Sequence, residues 1–100
     1  PLLSANETAT FNWNVSPGTR MVSNQFWVTK GQTIHIGSTA IPDSSTYWIG
    51  IMDGLNNARY VEGTGNLSHG FSITSSGHYR VFVQNKSSVQ INAAGSYYFN

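Results

Sequence analysis

The chain contains no cysteine. That one absence removes disulfide frameworks, thiolate metal centres and cysteine nucleophiles, and leaves the fold to be held by packing. One hundred residues suffice for this as a single domain, 1–100, with a buried core. Charge is nearly as scarce, with five Lys and Arg and four Asp and Glu making 9% of the chain, against about a quarter in an ordinary domain. The basic residues Arg20, Lys30, Arg59, Arg80 and Lys86 are scattered. No basic stripe exists to neutralise phosphates, so nucleic acid is not an expected partner. No apolar run approaches the roughly 20 residues that span a bilayer, so no transmembrane segment is expected. No apolar stripe recurs at helical spacing either.

In place of charge, Ser, Thr, Asn, Gln and Gly supply 46 residues, and 13 more are aromatic. Hydroxyls and amides around an aromatic core describe a secreted, extracellular β-protein. The lack of disulfides favours a bacterial source, because small secreted animal domains are usually disulfide-dense. A start at Pro1-Leu2-Leu3-Ser4-Ala5 fits either a mature secreted chain or a trimmed one. Glycosylation acceptor patterns fall at Asn6, Asn14, Asn66 and Asn85, but a chain this rich in Asn, Ser and Thr supplies about two by chance.

Alternation of period two dominates. Phe11, Trp13 and Val15 alternate with Asn12 and Asn14 in a first strand that ends at Ser16-Pro17-Gly18. Further strands are expected at about Met21–Thr29, Thr33–Ile36, Tyr47–Met52, Arg59–Val61, Ser68–Ile73, His78–Gln84 and Val89–Asn92, with Gly95 bending the chain into Tyr97-Tyr98-Phe99. Asp53-Gly54-Leu55-Asn56-Asn57 is a turn, because Asn and Gly tolerate positive φ. About eight short strands at this spacing predict an all-β fold, a single antiparallel β-sandwich of Greek-key or jelly-roll type.

Ser75-Ser76-Gly77-His78-Tyr79-Arg80-Val81-Phe82-Val83-Gln84-Asn85, followed by Val89 and Ile91, resembles the penultimate hairpin of small bacterial accessory β-sandwiches. These are modules of the carbohydrate-binding or pre-peptidase C-terminal type, carried by or secreted beside extracellular enzymes. The resemblance covers the last third of the chain and implies an architecture and a habitat, without residue roles.

Catalytic stock is thin: three histidines and the carboxylates Glu7, Asp43, Asp53 and Glu62, with no HExxH, no GxSxG and no phosphate-cradling loop. No enzyme activity and no cofactor are expected. His35, His69 and His78 would make a zinc site only if the fold brought them together, and their spacing does not ask for it. Ser68 and His69 are adjacent on a strand and so point to opposite faces. Asp53 and Glu62 are the one carboxylate pair within a hairpin. Asp53, Asn56 and Asn57 cluster oxygens without the EF-hand spacing, so no metal is expected there.

Face assignment carries the functional expectation. Tyr79, Val81 and Val83, with Val89 and Ile91, Ile34 and Ile36, Phe11, Trp13 and Val15, and Tyr47, Ile49 and Ile51, share the inward parity. His78, Arg80, Phe82, Trp27, Trp48 and Met52 are then outward. If their strands are neighbours, they form an exposed apolar patch edged by His35, His78 and Arg80, and such a patch usually has a use. Sugar rings stack on aromatic faces while polar side chains bond their hydroxyls. The expected function is a secreted, non-catalytic module binding carbohydrate or a cell-surface glycan, with Trp27, Trp48 and Phe82 stacking and Arg80, His78 and Asp53 as the rim. The alternative is a secreted protein-binding effector, an inhibitor, toxin or self-assembling protein, since Trp, Tyr and Arg also dominate protein interfaces. For an inhibitor, Pro42-Asp43-Ser44-Ser45 or Gly63-Thr64-Gly65-Asn66 would be the presented loop.

Overall fold

The turn at Asp53–Asn57 organises the molecule. The Asp53 carboxylate accepts hydrogen bonds from the backbone N–H groups of Leu55 and Asn57 at 2.8 and 2.9 Å, and Asn56 sits at φ 65°. This is the local bonding by which Asp and Asn stabilise turns. In the computed structural model, which describes residues 3–100, the turn is the tip of one long antiparallel ribbon.

The strands are β1 (Ala9–Val15), β2 (Arg20–Val22), β3 (Phe26–Val28), β4 (Thr33–Ile41), β5 (Tyr47–Met52), β6 (Ala58–Gly63), β7 (Asn66–Ser72), β8 (Gly77–Asn85) and β9 (Ile91–Phe99). Outward from the tip, the ribbon pairs β5 with β6, β4 with β7, β2 and β3 with β8, and β1 with β9. Rolling it up adds the pairings β4·β9 and β5·β8. The result is two antiparallel sheets, β1-β9-β4-β7 and β2-β8-β5-β6 with β3 also on β8. Counting β2 and β3 as one interrupted strand, this is the eight-stranded order of a jelly roll. The all-β sandwich is as the alternation predicted, and no helix occurs among the described residues.

Three local expectations are corrected. The strand expected over Met21–Thr29 breaks at Ser23, where the Ser23 hydroxyl accepts the Val81 N–H and the Ser23 carbonyl accepts Nη1 of Arg80. Gly95 does not bend the chain. It lies inside β9, opposite Phe11 and Ser38, where any Cβ would strike the Gly37 carbonyl. Val89 is outside β9 and 48% exposed, its carbonyl receiving the Asn85 amide.

Inward-facing residues of both sheets make the core, in which Phe26 stacks on Tyr97 and Phe99 at 5.7 and 5.6 Å. Tyr47 is fully buried and donates to the Gly65 carbonyl, and burial raises its pKa above the usual phenol value. Asn85 is also fully buried: its Nδ2 donates to the Val15 and Val89 carbonyls and its Oδ1 accepts from Ser87. It is a structural bridge and not an accessible glycosylation acceptor.

Charge is divided between the layers. Strands β1, β4, β7 and β9 contain no Lys, Arg, Asp or Glu, whereas Arg20, Arg59, Glu62 and Arg80 all lie on the other sheet.

Candidate functional site

The charged sheet carries the residues singled out by parity. Register places Arg20, Gln84, Trp48 and Glu62 in one row across its outer face, and Val22, Phe82, Gly50 and Tyr60 in the next. This face closes over itself. Phe82 is outward but completely buried, because its ring lies across the side-chain-free Gly50 and the Arg20 guanidinium covers it at 4.0 Å. Arg20 is fixed there by Nε and Nη2 bonds to Gln84 Oε1 at 2.8 and 2.6 Å. The expectation of an open Phe82 ring is therefore corrected.

Trp48 is half-buried. Its Nε1 donates to Glu62 at 2.8 Å, Tyr60 stacks on it at 3.8 Å, and the Lys86 ammonium stands 4.5 Å from the ring centroid. Tyr60, opposite Gly50, was not singled out from the sequence. The five-residue turn, by fixing the β5·β6 register, was the signal that could have found it. Trp27 is open, 54% exposed, with His78 edge-on at 5.2 Å. Its partner His78 lies six residues along β8 from Gln84, the partner of Trp48, which is about 20 Å. The aromatics thus form two separate pairs instead of one platform.

The expected rim is dispersed as well. Arg80 is bound to the Ser23 carbonyl at 2.7 Å and lines a cleft of about 740 Å³ with Glu7, Asn24, Gln25, Phe26 and Tyr97. Asp53 turns inward on its own loop, and the N–H of Asn57, foremost among its donors, holds its carboxyl below the usual carboxylate range. Asp53 also lies five residues along β5 from Trp48, the partner of Glu62. That is about 16 Å, beyond the span over which paired carboxylates cleave a glycosidic bond. His35 and His69 belong to the uncharged sheet and His78 to the other, so the three histidines do not converge and His35 does not edge the Trp48 face. The Pro42–Ser45 and Gly63–Asn66 loops pack together, a Cβ at Gly65 standing 3.5 Å from the Asp43 carbonyl.

The uncharged sheet presents a different surface. Thr10, Asn12 and Asn14 of β1, Asn92, Ala94, Ser96 and Tyr98 of β9, Thr39 of β4, and Asn66 and Ser68 of β7 all point outward. Asn92 Nδ2 donates to both Asn12 and Asn14 Oδ1, at 2.8 and 3.1 Å, tying β1 to β9 by amides. Toward the other end, His35 stacks on Tyr98 at 4.6 Å and 14°, with Nε2 3.0 Å from Asn100 Oδ1. Beside this pair lies a groove of about 390 Å³, bounded by His35, Tyr98, Ser68, His69 and Ser96. Gly37 and Gly70 form its floor, and a Cβ at Gly37 would meet no atom within 4 Å. The groove combines an aromatic wall, the Ser68 and Ser96 hydroxyls and the His35 imidazole with no formal carboxylate or cation, while the His69 ring, level with Ile36 and edge-on to Phe71, turns to the other face of the sheet. Among the described residues, no group of three or more His, Asp or Glu is placed to hold a metal ion.

No protein-family model matches the chain, and no curated protein matches it.

Proposed function

We propose that this protein is a non-catalytic binding module for a neutral polysaccharide, secreted from a bacterium, with its ligand lying along the groove of the uncharged sheet. The supporting observation is the stacked His35–Tyr98 pair beside a glycine floor, on a sheet whose strands carry no charged residue. A pyranose offers an apolar C–H face to an aromatic wall and hydroxyls to Ser68, Ser96 and the His35 imidazole. A neutral chain asks for no ion pair, and none is offered. The Trp48 face suits this role less well, since Tyr60, Lys86 and Glu62 already occupy that ring.

Affinity electrophoresis and calorimetry against neutral glucans, mannans, xylans and galactans test the reading. Retention by at least one of them is expected, lost in Tyr98→Ala and in Gly37→Val, whose side chain would fill the groove without touching the core. Trp48→Ala and Tyr60→Ala are expected to retain binding. Loss in Tyr60→Ala with Tyr98→Ala unaffected would move the site to the charged sheet, and no retention by any glycan would defeat the proposal.

One observation favours a protein partner instead: Trp27 with His78 is the most open aromatic pair on the molecule. Capture of a protein ligand lost in Trp27→Ala, in a chain that binds no glycan, would support that reading.

A further inference from the structure

The four sheet edges are protected unequally. Exposed edges invite pairing with other chains, and proteins usually blunt them with charge, proline, breaks or cover. On the charged sheet, the β6 edge carries Arg59 and Glu62, and the opposite edge carries Arg20 and is broken between β2 and β3. On the uncharged sheet, β7 contains Gly70, and its end is covered by Arg59, whose Nη1 donates to the Ser72 carbonyl at 2.6 Å. Among the described residues, strand β1 shows none of these devices. It runs seven residues, Ala-Thr-Phe-Asn-Trp-Asn-Val, without charge, glycine, proline or interruption, and among the described residues pairs with β9 alone.

The apolar surface nearby is incomplete in the same direction. Trp13 and Ala9 face inward yet stay only partly buried at this margin, and Met21, inward on the facing edge strand β2, is 38% exposed. Trp13 stacks on Phe11 at 4.7 Å and is still only partly buried on this edge strand.

We propose that β1 is a self-association edge, pairing antiparallel with β1 of a second copy about a twofold axis through Asn12. The strand is complementary to its own reverse: Asn12 meets Asn12, Thr10 meets Asn14, and Phe11 meets Trp13. No like charges are opposed, as they would be in self-pairing of β6 at Arg59 or Glu62. A twofold contact is isologous, so it closes at a dimer. The two uncharged sheets then become one of eight strands, and Trp13 and Met21 of each copy gain cover. This inference is independent of the glycan reading, and its tests contain no ligand.

Sedimentation over roughly 1 µM to 1 mM reads the association directly. A monomer–dimer equilibrium is expected, and a monomer throughout overturns the proposal. Asn12→Lys sets two ammonium groups opposite each other and is expected to weaken the dimer roughly tenfold or more. Thr39→Lys, on the same face but on interior strand β4, should leave it intact. Equal dimerisation of Asn12→Lys and wild type counts against β1.

Geometry has a separate readout that does not depend on weakening anything. Opposed residues in an antiparallel pair have Cα atoms about 4.5–5.5 Å apart, within disulfide range. In this cysteine-free chain, Asn12→Cys is expected to form a covalent dimer under mild oxidation, and Asn66→Cys on the β7 edge is not. Both positions are exposed, and a melting curve for each variant confirms that it folds. Cross-linking through Asn66→Cys with none through Asn12→Cys would assign the contact to β7 and overturn the proposal.

Discussion

The ring of Phe82 lies across Gly50 on the neighbouring strand, so close that a Cβ at Gly50 would stand 2.7 Å from two of its carbons. This contact turns an outward aromatic into a buried one. It uses the bare backbone of one strand as a seat for the side chain of the next, with Arg20 as the lid.

Gly50→Ala should therefore be among the most disruptive small substitutions in the chain. The methyl group collides with both the Phe82 ring and the Arg59 carbonyl. Overpacking of this kind costs about 1–3 kcal/mol, and the fixed backbone wall places the expected loss at the upper end. Gly54→Ala, where a Cβ meets nothing, should change stability by less than about 0.5 kcal/mol. Urea unfolding of both variants checks the contrast.

Phe82→Ala and Tyr60→Ala separate parity from burial. Both residues point outward from the same sheet, but Phe82 is fully buried and Tyr60 is 47% exposed. Truncating a buried Phe costs about 3–5 kcal/mol. Loss of the Tyr60 stack should cost about 1 kcal/mol. Similar small losses for both would mean that the Phe82 ring is open in solution.

Asn85→Ala should destabilise by about 2–4 kcal/mol, because it strips a donor from the Val15 and Val89 carbonyls inside the fold. Strands 70 residues apart in the sequence meet through this amide. Asn14→Ala, which removes an exposed amide from the Asn92 ladder, should cost much less. Thermal unfolding gives both.

Stability should fall at both extremes of pH for two identifiable reasons. The Asp53 carboxyl has a lowered pKa in the fold, foremost through the Asn57 N–H, so its contribution is complete above about pH 4 and is lost as pH falls through the native value. The Tyr47 hydroxyl has a pKa raised by burial, so its contribution is complete below about pH 10 and is lost as pH rises through the native value. Melting temperature against pH should show a reduced acid limb in Asp53→Asn and a reduced alkaline limb in Tyr47→Phe. Unchanged limbs would remove these groups as the cause.

Much of this architecture was legible in the chain. Alternation assigned Ile34, Ile36, Tyr47, Ile49, Ile51, Val81 and Val83 to the core, and all are buried. Turn chemistry located Asp53–Asn57, the tip about which the ribbon folds. These signals survive because they are local: a strand has only two faces, and the side chains of Asp and Asn bond to backbone a few residues away. The errors began where a residue's neighbour was remote. Ser23 breaks its strand by bonding to Val81, and Gly95 sits in β9 because Gly37 passes beside it.

Composition and periodicity by themselves determined a disulfide-free β-sandwich with a hydroxyl and amide surface and, within the strands they located, which side chains turn outward. Tertiary structure alone decided which of those remain open. Parity fixes the face of a side chain, but its cover comes from residues beside it on other strands. Phe82 is hidden by Gly50 and Arg20, Trp48 is occupied by Tyr60 and Lys86, and His35 stands on the other sheet beside Tyr98. Those neighbours are set by turn lengths and by how the ribbon rolls up, and so is the separation of all strand charge from one sheet, which no window along the chain can display.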